Sequence, residues 1–339
     1  IGLALFGLYL SVTALAEVAG AWGFVFPKYI ADPELGIHFG RARGPFLASQ
    51  ALGMFLAVCL LAVWLVATAS SRLSREEPDA IQPKLMQLAA AGMGLLILAA
   101  TYFTYTRAAW MAVALAMIVV LAVTLPKAWR PIIVTGMVAT GLLVAVAKWD
   151  SIMGVKREGT AEESAHSVYQ RQSFTYVSWN MFLDRPLLGA GYGQFYKEKL
   201  PYLADRNSEV ELESIRPLHH HNTILGYLTE TGLVGLSLFL ALFIGWARLA
   251  WRVCQNRSAP PWVRRQGALL IGVLTAYATI GLFHEMSLIP QTHWLLFLVV
   301  GVTVGLRRWA VSSQQTKSSR HTPCAVTCAE KDPRVEQPV

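Results

Sequence analysis

Three adjacent histidines, His219, His220 and His221, precede Asn222 and then a long apolar run. A neutral imidazole at the mouth of a membrane helix is able to accept a proton from an attacking hydroxyl. An asparagine at this position predicts an N-cap for the helix that follows. Adjacent histidines also suit a metal ion, but no Asp, Glu or Cys lies beside them at ligand spacing. A polar loop without chemistry is the plainest alternative, and the pattern does not say which imidazole acts.

Arginines are the second group of candidate residues. Arg107 lies in a turn of only three residues between two apolar runs, so its guanidinium must lie at the membrane surface or point into the bundle. A charge at that depth is costly unless it is paired, which favours a function over simple snorkelling to headgroups. The planar fork of arginine suits phosphate, because it donates two bonds at once. Further candidates in the same set of loops are Arg41, Arg43, Arg171 and Arg216.

Glu230 follows His221 by about two helical turns. It could share a helix face with that histidine, and orient it or pair with an arginine. The alternative is a carboxylate that remains at the water interface. The arginines suit a phosphate group, and a metal site is the weaker interpretation of the histidines.

Composition indicates what kind of fold must position these residues. The chain of 339 residues is 54% hydrophobic and 15% charged, whereas a soluble domain carries about 25% charged residues. Long apolar runs predict an all-α, polytopic transmembrane helix bundle. The net charge of +8 comes from Lys and Arg in certain loops, so it indicates orientation rather than nucleic-acid binding.

About eight spans are predicted, joined by loops that alternate between the two membrane faces. One set of loops holds most of the short-loop Lys and Arg and is therefore placed in the cytoplasm. We expect an N-terminal transmembrane bundle at 1–148, a periplasmic loop at 149–221, C-terminal transmembrane helices at 222–308 and a disordered cytoplasmic tail at 309–339. The predicted spans are 1–24, 46–69, 85–104, 108–125, 131–148, 223–246, 267–283 and 291–306.

The long loop has local signals of its own. Apolar residues at helical spacing over 168–183 predict an amphipathic helix at the membrane surface, which Asp184, Arg185 and Pro186 should end. The GAGYG stretch at 189–193 is a glycine-rich turn. As a nucleotide-binding signal it is weak, because no strand precedes it.

Several stretches together resemble the O-antigen ligase and O-antigen polymerase family of bacterial inner-membrane glycosyltransferases. They cover most of the chain from about residue 38 to residue 305, in the order and membrane placement of that family. Members usually have more helices ahead of the first stretch, so we expect this chain, which begins at Ile1, to be a fragment. The matching stretches are RARGPF at 41–46, TRAAW at 106–110, Arg171 with Trp179, DRPLLGAGYGQF at 184–195, and HN…ETGLVG at 221–235.

The resemblance implies a GT-C-like bundle and a reaction. A glycan on undecaprenyl diphosphate would be transferred to an acceptor hydroxyl at the periplasmic face, with no cofactor, nucleotide sugar or metal. Carried over by position, His221 is the base, Arg107 and Arg171 hold the diphosphate, and Arg43 is a weaker third. His219, Asn222 and Glu230 take supporting roles. Membrane lipids and a glycolipid or protein acceptor are the other expected partners.

Alternatives remain at this point. Within the family, lipid A core, a protein hydroxyl or a growing glycan could be the acceptor, which would give a ligase, an O-oligosaccharyltransferase or a polymerase. A transporter of lipid-linked glycans would use the same arginines, but the inverted repeats and broken paired helices of transporters are not apparent. A non-catalytic scaffold would predict no effect of His221→Ala beyond folding.

Overall fold

A computed structural model describes residues 1–36, 39–76, 81–147, 161–205, 208 and 210–320. This part of the chain is built from α-helices and short 3-10 turns, with no β-strand. Backbone groups inside a bilayer must be bonded within their own segment, which helices achieve. The helices are α1 (Gly2–Val18), α2 (Ser49–Glu76), α3 (Ile81–Phe103), α4 (Arg107–Thr124), α5 (Arg130–Ala147), α6 (Ala161–Asp184), α7 (Phe195–Glu198), α8 (Thr223–Gln255), α9 (Pro261–Gly281) and α10 (Pro290–Arg320).

Five of these helices, namely α2, α3, α4, α8 and α10, are long and apolar enough to cross a membrane. Two shorter apolar helices, α1 and α5, accompany them. The helical membrane class is thus confirmed, while the total of eight spans stays a prediction. Helix α9, predicted as a span, is buried along much of its length among other helices.

The core of the bundle forms around α2, which contacts α1, α3, α4 and α9. Small residues permit the close approaches. A side chain at Gly53 would meet the Cβ of Ala109 at 2.3 Å, and one at Gly272 would meet Leu61 at 2.5 Å. Outward-facing apolar side chains on α3, α5 and α8 stay exposed, as expected for helices that face lipid.

The connecting segments gather at two ends of the bundle. The amide of Asn222, before α8, donates to the carbonyl of Leu282, after α9, and the N–H of Ala42 donates to the carbonyl of Phe103 at the end of α3. The opposite ends of α4, α8 and α9 share a cavity lined by Leu125, Cys254 and Pro261. We call the first set, segments 19–48, 104–106, 185–222 and 282–289, the site end. The second set, segments 125–129 and 256–260 with α10 from residue 307, is the basic end.

The ends of two helices bear on predictions made from the sequence. Helix α6 ends at Asp184, as the Asp-Arg-Pro sequence predicted. Helix α10 continues to Arg320, so residues 309–320, which we expected to be disordered, are helical. The helix continues beyond the last predicted span, because no helix-breaking Pro or Gly occurs between Gly305 and Arg320. Residues 321–339 lie outside the described part, as do Cys324 and Cys328.

Candidate active site

The site end is organised by a break in α8 at Gly232. Gly232 has φ of +64°, and a Cβ there would lie 2.3 Å from the carbonyl oxygen of Leu187. The carbonyls freed by the break accept hydrogen bonds from the preceding loop: Ala190 N–H donates to Thr229 at 2.9 Å, and Gly191 N–H donates to Glu230 at 2.8 Å. The glycine-rich turn is therefore a docking segment, whose backbone replaces the missing bonds of a helix.

Glu230 fastens this docked segment with its side chain. Its Oε2 accepts from the N–H of Gly193 at 2.7 Å, and its Oε1 accepts from the N–H of Phe195 at 3.1 Å. The carboxylate is buried, so it neither remains at the water interface nor pairs with an arginine among the described residues. Its supporting role is exerted on the loop backbone, and through Phe195 on the histidines.

The three histidines have different surroundings. His220 is buried and stacks on the ring of Phe195, with 3.5 Å between ring centroids. Burial, with His219, Lys199 and His221 nearby, lowers the pKa of His220 to about 3. His219 is exposed and lies beside the ring of Tyr196 at 5.1 Å. The imidazole of His220 is therefore a packing group, and that of His219 lies at the surface.

His221 is half-buried and lies beside Arg171. Burial, and secondly the Arg171 guanidinium, lower the pKa of His221 below its ordinary value of 6.5. The edge of its ring meets Phe174, with centroids 4.9 Å apart. The guanidinium carbon of Arg171 is 5.7 Å from the ring centroid of Phe283, a cation–π distance. A neutral imidazole and a cation thus adjoin at the mouth of α8.

The segment 282–289 between α9 and α10 is held against this pair. Asn222 caps α8, as predicted: its Oδ1 accepts from Leu225 N–H at 3.0 Å, while its Nδ2 donates to Leu282 at 3.1 Å. The hydroxyl of Thr223 donates to the carbonyl of His284 at 2.8 Å. Phe283 is thereby fixed beneath Arg171.

Helix α6 carries Arg171 on a small core within the loop. Its residues Phe174, Val177 and Met181 are buried against Phe195 and Ile215. The expected amphipathic helix is present, but this apolar face contacts the loop's own core. On its remaining surface Trp179 and Leu183 are exposed, at 49% and 55%.

Lys199 supports the segment that leads into the histidines. It is fully buried, and its Nζ donates to the carbonyls of Ile215, at 2.7 Å, and Leu218. Burial, and secondly Arg216, lower the pKa of Lys199 to about 8. Arg216 itself is exposed and paired with Glu213.

Arg43 occupies a different environment from the one expected of a substrate ligand. It is fully buried, and its Nε donates to Glu17 at 2.9 Å. Its terminal nitrogens donate to the carbonyls of Leu35 and Ile30, each at 2.8 Å. The guanidinium therefore joins α1 to the segment 19–48.

Arg107 begins α4, is half-buried and follows the tight turn 104–106. The C-terminal end of α4 meets the N-terminal end of α9 at the basic end, so these two helices run in opposite directions. The start of α4 therefore lies at the same end as the segment that follows α9. This places Arg107 at the site end, with Arg171 and His221.

Some residues of this region escaped the sequence reasoning. Phe283, Lys199 and Glu285 showed no local pattern. Phe283 and Lys199 contact residues far away in the chain, whereas Glu285 is distinguished by its burial. Burial raises the pKa of Glu285 to about 7, and its Oε1 accepts from the N–H and hydroxyl of Ser287. The hydroxyl of Tyr192, in the glycine-rich turn, donates to the carbonyl of Ser287 at 2.6 Å.

No group of three or more His, Cys, Asp or Glu side chains within the described ranges is placed to hold a metal ion. What the arrangement offers is a proton acceptor, adjacent cations and exposed aromatic surface. Such a set favours transfer from an anionic leaving group to a hydroxyl.

Part of the chain matches a known protein family. A family model described as O-antigen ligase matches residues 91–240. The match contains Arg107, Arg171, the three histidines with Asn222, and Glu230, whereas Arg43 lies outside it. No match to the chain is found among curated proteins. The resemblance inferred from the sequence is confirmed over the matched range.

Proposed function

We propose that the chain is a membrane glycosyltransferase of the ligase type, because residues 91–240 match a family model described as O-antigen ligase. It would move a glycan from undecaprenyl diphosphate to an acceptor hydroxyl, with lipid A core as the leading acceptor. The reaction would take place at the periplasmic face of the bacterial inner membrane and without a metal. The observation that carries the proposal is the contact region of His221, Arg171 and Phe283 at the mouth of α8.

In the proposed mechanism His221 is the general base. Its depressed pKa keeps the imidazole neutral near pH 7, so that a ring nitrogen is able to take the proton of the acceptor hydroxyl. The acceptor oxygen then forms a bond to the anomeric carbon of the donor glycan. The bond between that carbon and the phosphate oxygen breaks, and undecaprenyl diphosphate leaves.

Arg171 is proposed to stabilise the diphosphate. Negative charge grows on the leaving phosphate in the transition state, and a fixed cation in a low-dielectric site lowers its energy. Each charge-assisted hydrogen bond contributes about 1.5–3 kcal/mol. Arg107, at the same end of the bundle, is proposed as the second cation.

Arg43 has no part in this proposal, because its donors bind Glu17 and two backbone carbonyls. His219 and Asn222 support the site. His219 is an exposed neighbour of His221 in the sequence, and Asn222 caps α8. Glu230 and Lys199 hold the backbone on either side of the histidines. The lipid tail of the donor would approach from the bilayer between helices.

The test is glycan transfer in liposomes that contain purified protein, undecaprenyl-diphosphate-linked glycan and one acceptor at a time. His221→Ala should lower kcat about 10²–10⁴-fold, the usual contribution of a general base. His219→Ala is the matched control, because it removes an adjacent but exposed imidazole, and it should keep most activity.

Acceptor arms with core glycolipid, protein and growing glycan separate ligase, oligosaccharyltransferase and polymerase activity. EDTA should leave the rate unchanged, and loss of activity would point to a metal. Folded His221→Ala and Arg171→Ala proteins that turn over like the parent would refute the assignments.

A further inference from the structure

A second site candidate lies at the basic end, away from the histidines. There the ends of α2, α4, α8 and α9 enclose a cavity of about 290 Å³, which we call the basic cavity. Its volume is about ten times the ~30 Å³ share of one water molecule, so it accommodates a group larger than a single small ion. Polar and cationic lining residues include Trp64, Thr68, Thr124, Cys254, Arg264 and Arg265.

Two arginines at the start of α9 supply charge to the basic cavity. Arg264 donates from Nε to the carbonyl of Cys254 at 3.2 Å, and Arg265 donates from a terminal nitrogen to the carbonyl of Thr68 at 3.3 Å. Each bond anchors a guanidinium that carries five N–H donors. Arg264 is thus held at the wall with donors in excess of the one that its bond to Cys254 uses.

Counter-charge for Arg264 is absent from the described residues, since none of their ion pairs includes it. The first turn of α9 contains no acidic residue. Arg130 adds a further cation close to Cys254. Its Nε is buried and has no hydrogen-bond partner among the described residues. Cations confined in this way at a membrane boundary are stabilised by a bound anion.

The other walls of the basic cavity are apolar. Leu65, Val123 and Leu125 line it beside the arginines, at the ends of membrane-crossing helices. An inorganic anion makes no use of such walls, whereas a lipid places its phosphate beside cations and its glycerol and first methylenes against apolar side chains.

We propose that the basic cavity binds the phosphate of an anionic glycerophospholipid headgroup, drawn from the membrane leaflet at the basic end. The site is separate from the glycosyltransferase site, because α8 runs from Gly232 to Cys254 between them, about 33 Å at ~1.5 Å per residue. The lipid therefore holds α2, α4, α8 and α9 together at this end and takes no part in glycan transfer.

The experiment uses the full chain purified in a neutral detergent. Thermal unfolding is followed during titration with short-chain phosphatidylglycerol, short-chain phosphatidylcholine and inorganic phosphate. Phosphatidylglycerol should raise the Tm in a saturable way, and the other two should not do so at equal concentration. This comparison uses only the unmodified chain, so it does not depend on whether a variant folds.

Two variants test whether the lipid effect on the Tm arises from the basic cavity. Arg264→Gln should raise the apparent Kd for phosphatidylglycerol about tenfold, the equivalent of one charge-assisted bond. Arg257→Gln makes the same charge change at an exposed position of the same end that does not line the cavity, and it should leave the Kd unchanged. Equal weakening by both variants would show diffuse surface attraction and overturn the proposal. A response to inorganic phosphate as strong as that to lipid would overturn the lipid assignment.

Discussion

At the scale of single residues, three adjacent imidazoles illustrate how environment assigns roles. His220 is packed on Phe195 with its pKa lowered to about 3, so it stays neutral but is a very weak base. His219 is exposed, and its pKa is lowered by burial first and by Lys199 second. His221 combines partial burial with the neighbouring Arg171, which is the combination that a base beside an anionic substrate requires.

The pH dependence of transfer should reveal the contact between His221 and Arg171. The pKa of His221 lies below 6.5, through burial first and Arg171 second, so activity should fall as the pH drops through a value below 6.5. Arg171→Gln removes the cation, the pKa of His221 rises, and the acid limb should move to higher pH. The measurement is a kcat/KM profile from about pH 5 to about pH 8.

The same variant should also lower kcat/KM about 10–100-fold at pH 7.5, because charge-assisted bonds to the diphosphate are lost. Arg171→Lys is the control for the acid limb of the pH profile, since lysine keeps the charge but lacks the planar fork. An unchanged limb in Arg171→Gln would mean that this arginine does not act on the titrating group.

Phe283 provides a second prediction, about substrate affinity. Its ring lies 5.7 Å from the Arg171 guanidinium, and a cation–π contact at a partly exposed site contributes about 0.5–1 kcal/mol. Phe283→Leu should therefore raise the donor KM about two- to fivefold with little change in kcat. Phe283→Tyr keeps the aromatic face and should behave like the parent. Steady-state kinetics with donor varied at saturating acceptor measures both, and equal KM values for all three proteins would remove Phe283 from the site.

At the scale of elements, the break in α8 explains why two distant sequence stretches belong together. The segment 186–191 completes the backbone bonds that Gly232 interrupts. Gly189 is essential to that fit: with φ of +70°, a Cβ on it would lie 2.4 Å from the carbonyl carbon of Glu230. Gly193 has nearly the same φ, +72°, but open space around its Cα.

These two glycines form a matched pair for a stability test. Both Gly189→Ala and Gly193→Ala strain a left-handed backbone, at about 1–2 kcal/mol. Only Gly189→Ala adds overpacking, which costs about 1–3 kcal/mol more. We expect Gly189→Ala to lower the Tm further and to expose the loop to limited proteolysis. Equal effects of the two substitutions would contradict the docked arrangement.

Much of this element structure was predictable, for identifiable reasons. Hydropathy located the long helices, since lipid imposes one solution on the backbone. Asn222 as cap and Asp184 as helix end follow from local chemistry within a few residues. Other contacts join residues far apart in the chain, and local spacing does not encode them. They are the contacts of Arg43 with Glu17, of Glu230 with the glycine-rich turn, and of Phe283 with Arg171. The helix to Arg320 differs from the disorder that its polar composition predicts.

At the scale of the whole molecule, the two ends of the bundle differ in charge and task. The site end holds the histidines and the elements that support them. The basic end holds the Lys- and Arg-rich connections, including Lys127 and Arg257 in its two short loops. Positive short loops remain on the cytoplasmic side during insertion, so the site end is expected to face the periplasm, where a lipid-linked glycan donor would be presented.

Cysteine labelling tests this orientation directly. Glu211 at the site end and Arg257 at the basic end are both exposed, so each is replaced by cysteine in a separate variant. Native Cys59 and Cys254 are buried, and Cys324 and Cys328 are changed to serine in both variants. In intact spheroplasts an impermeant maleimide should label Glu211→Cys and spare Arg257→Cys, and both should react after lysis. Labelling of Arg257→Cys alone would put His221 in the cytoplasm, where the proposed transfer would have no periplasmic donor.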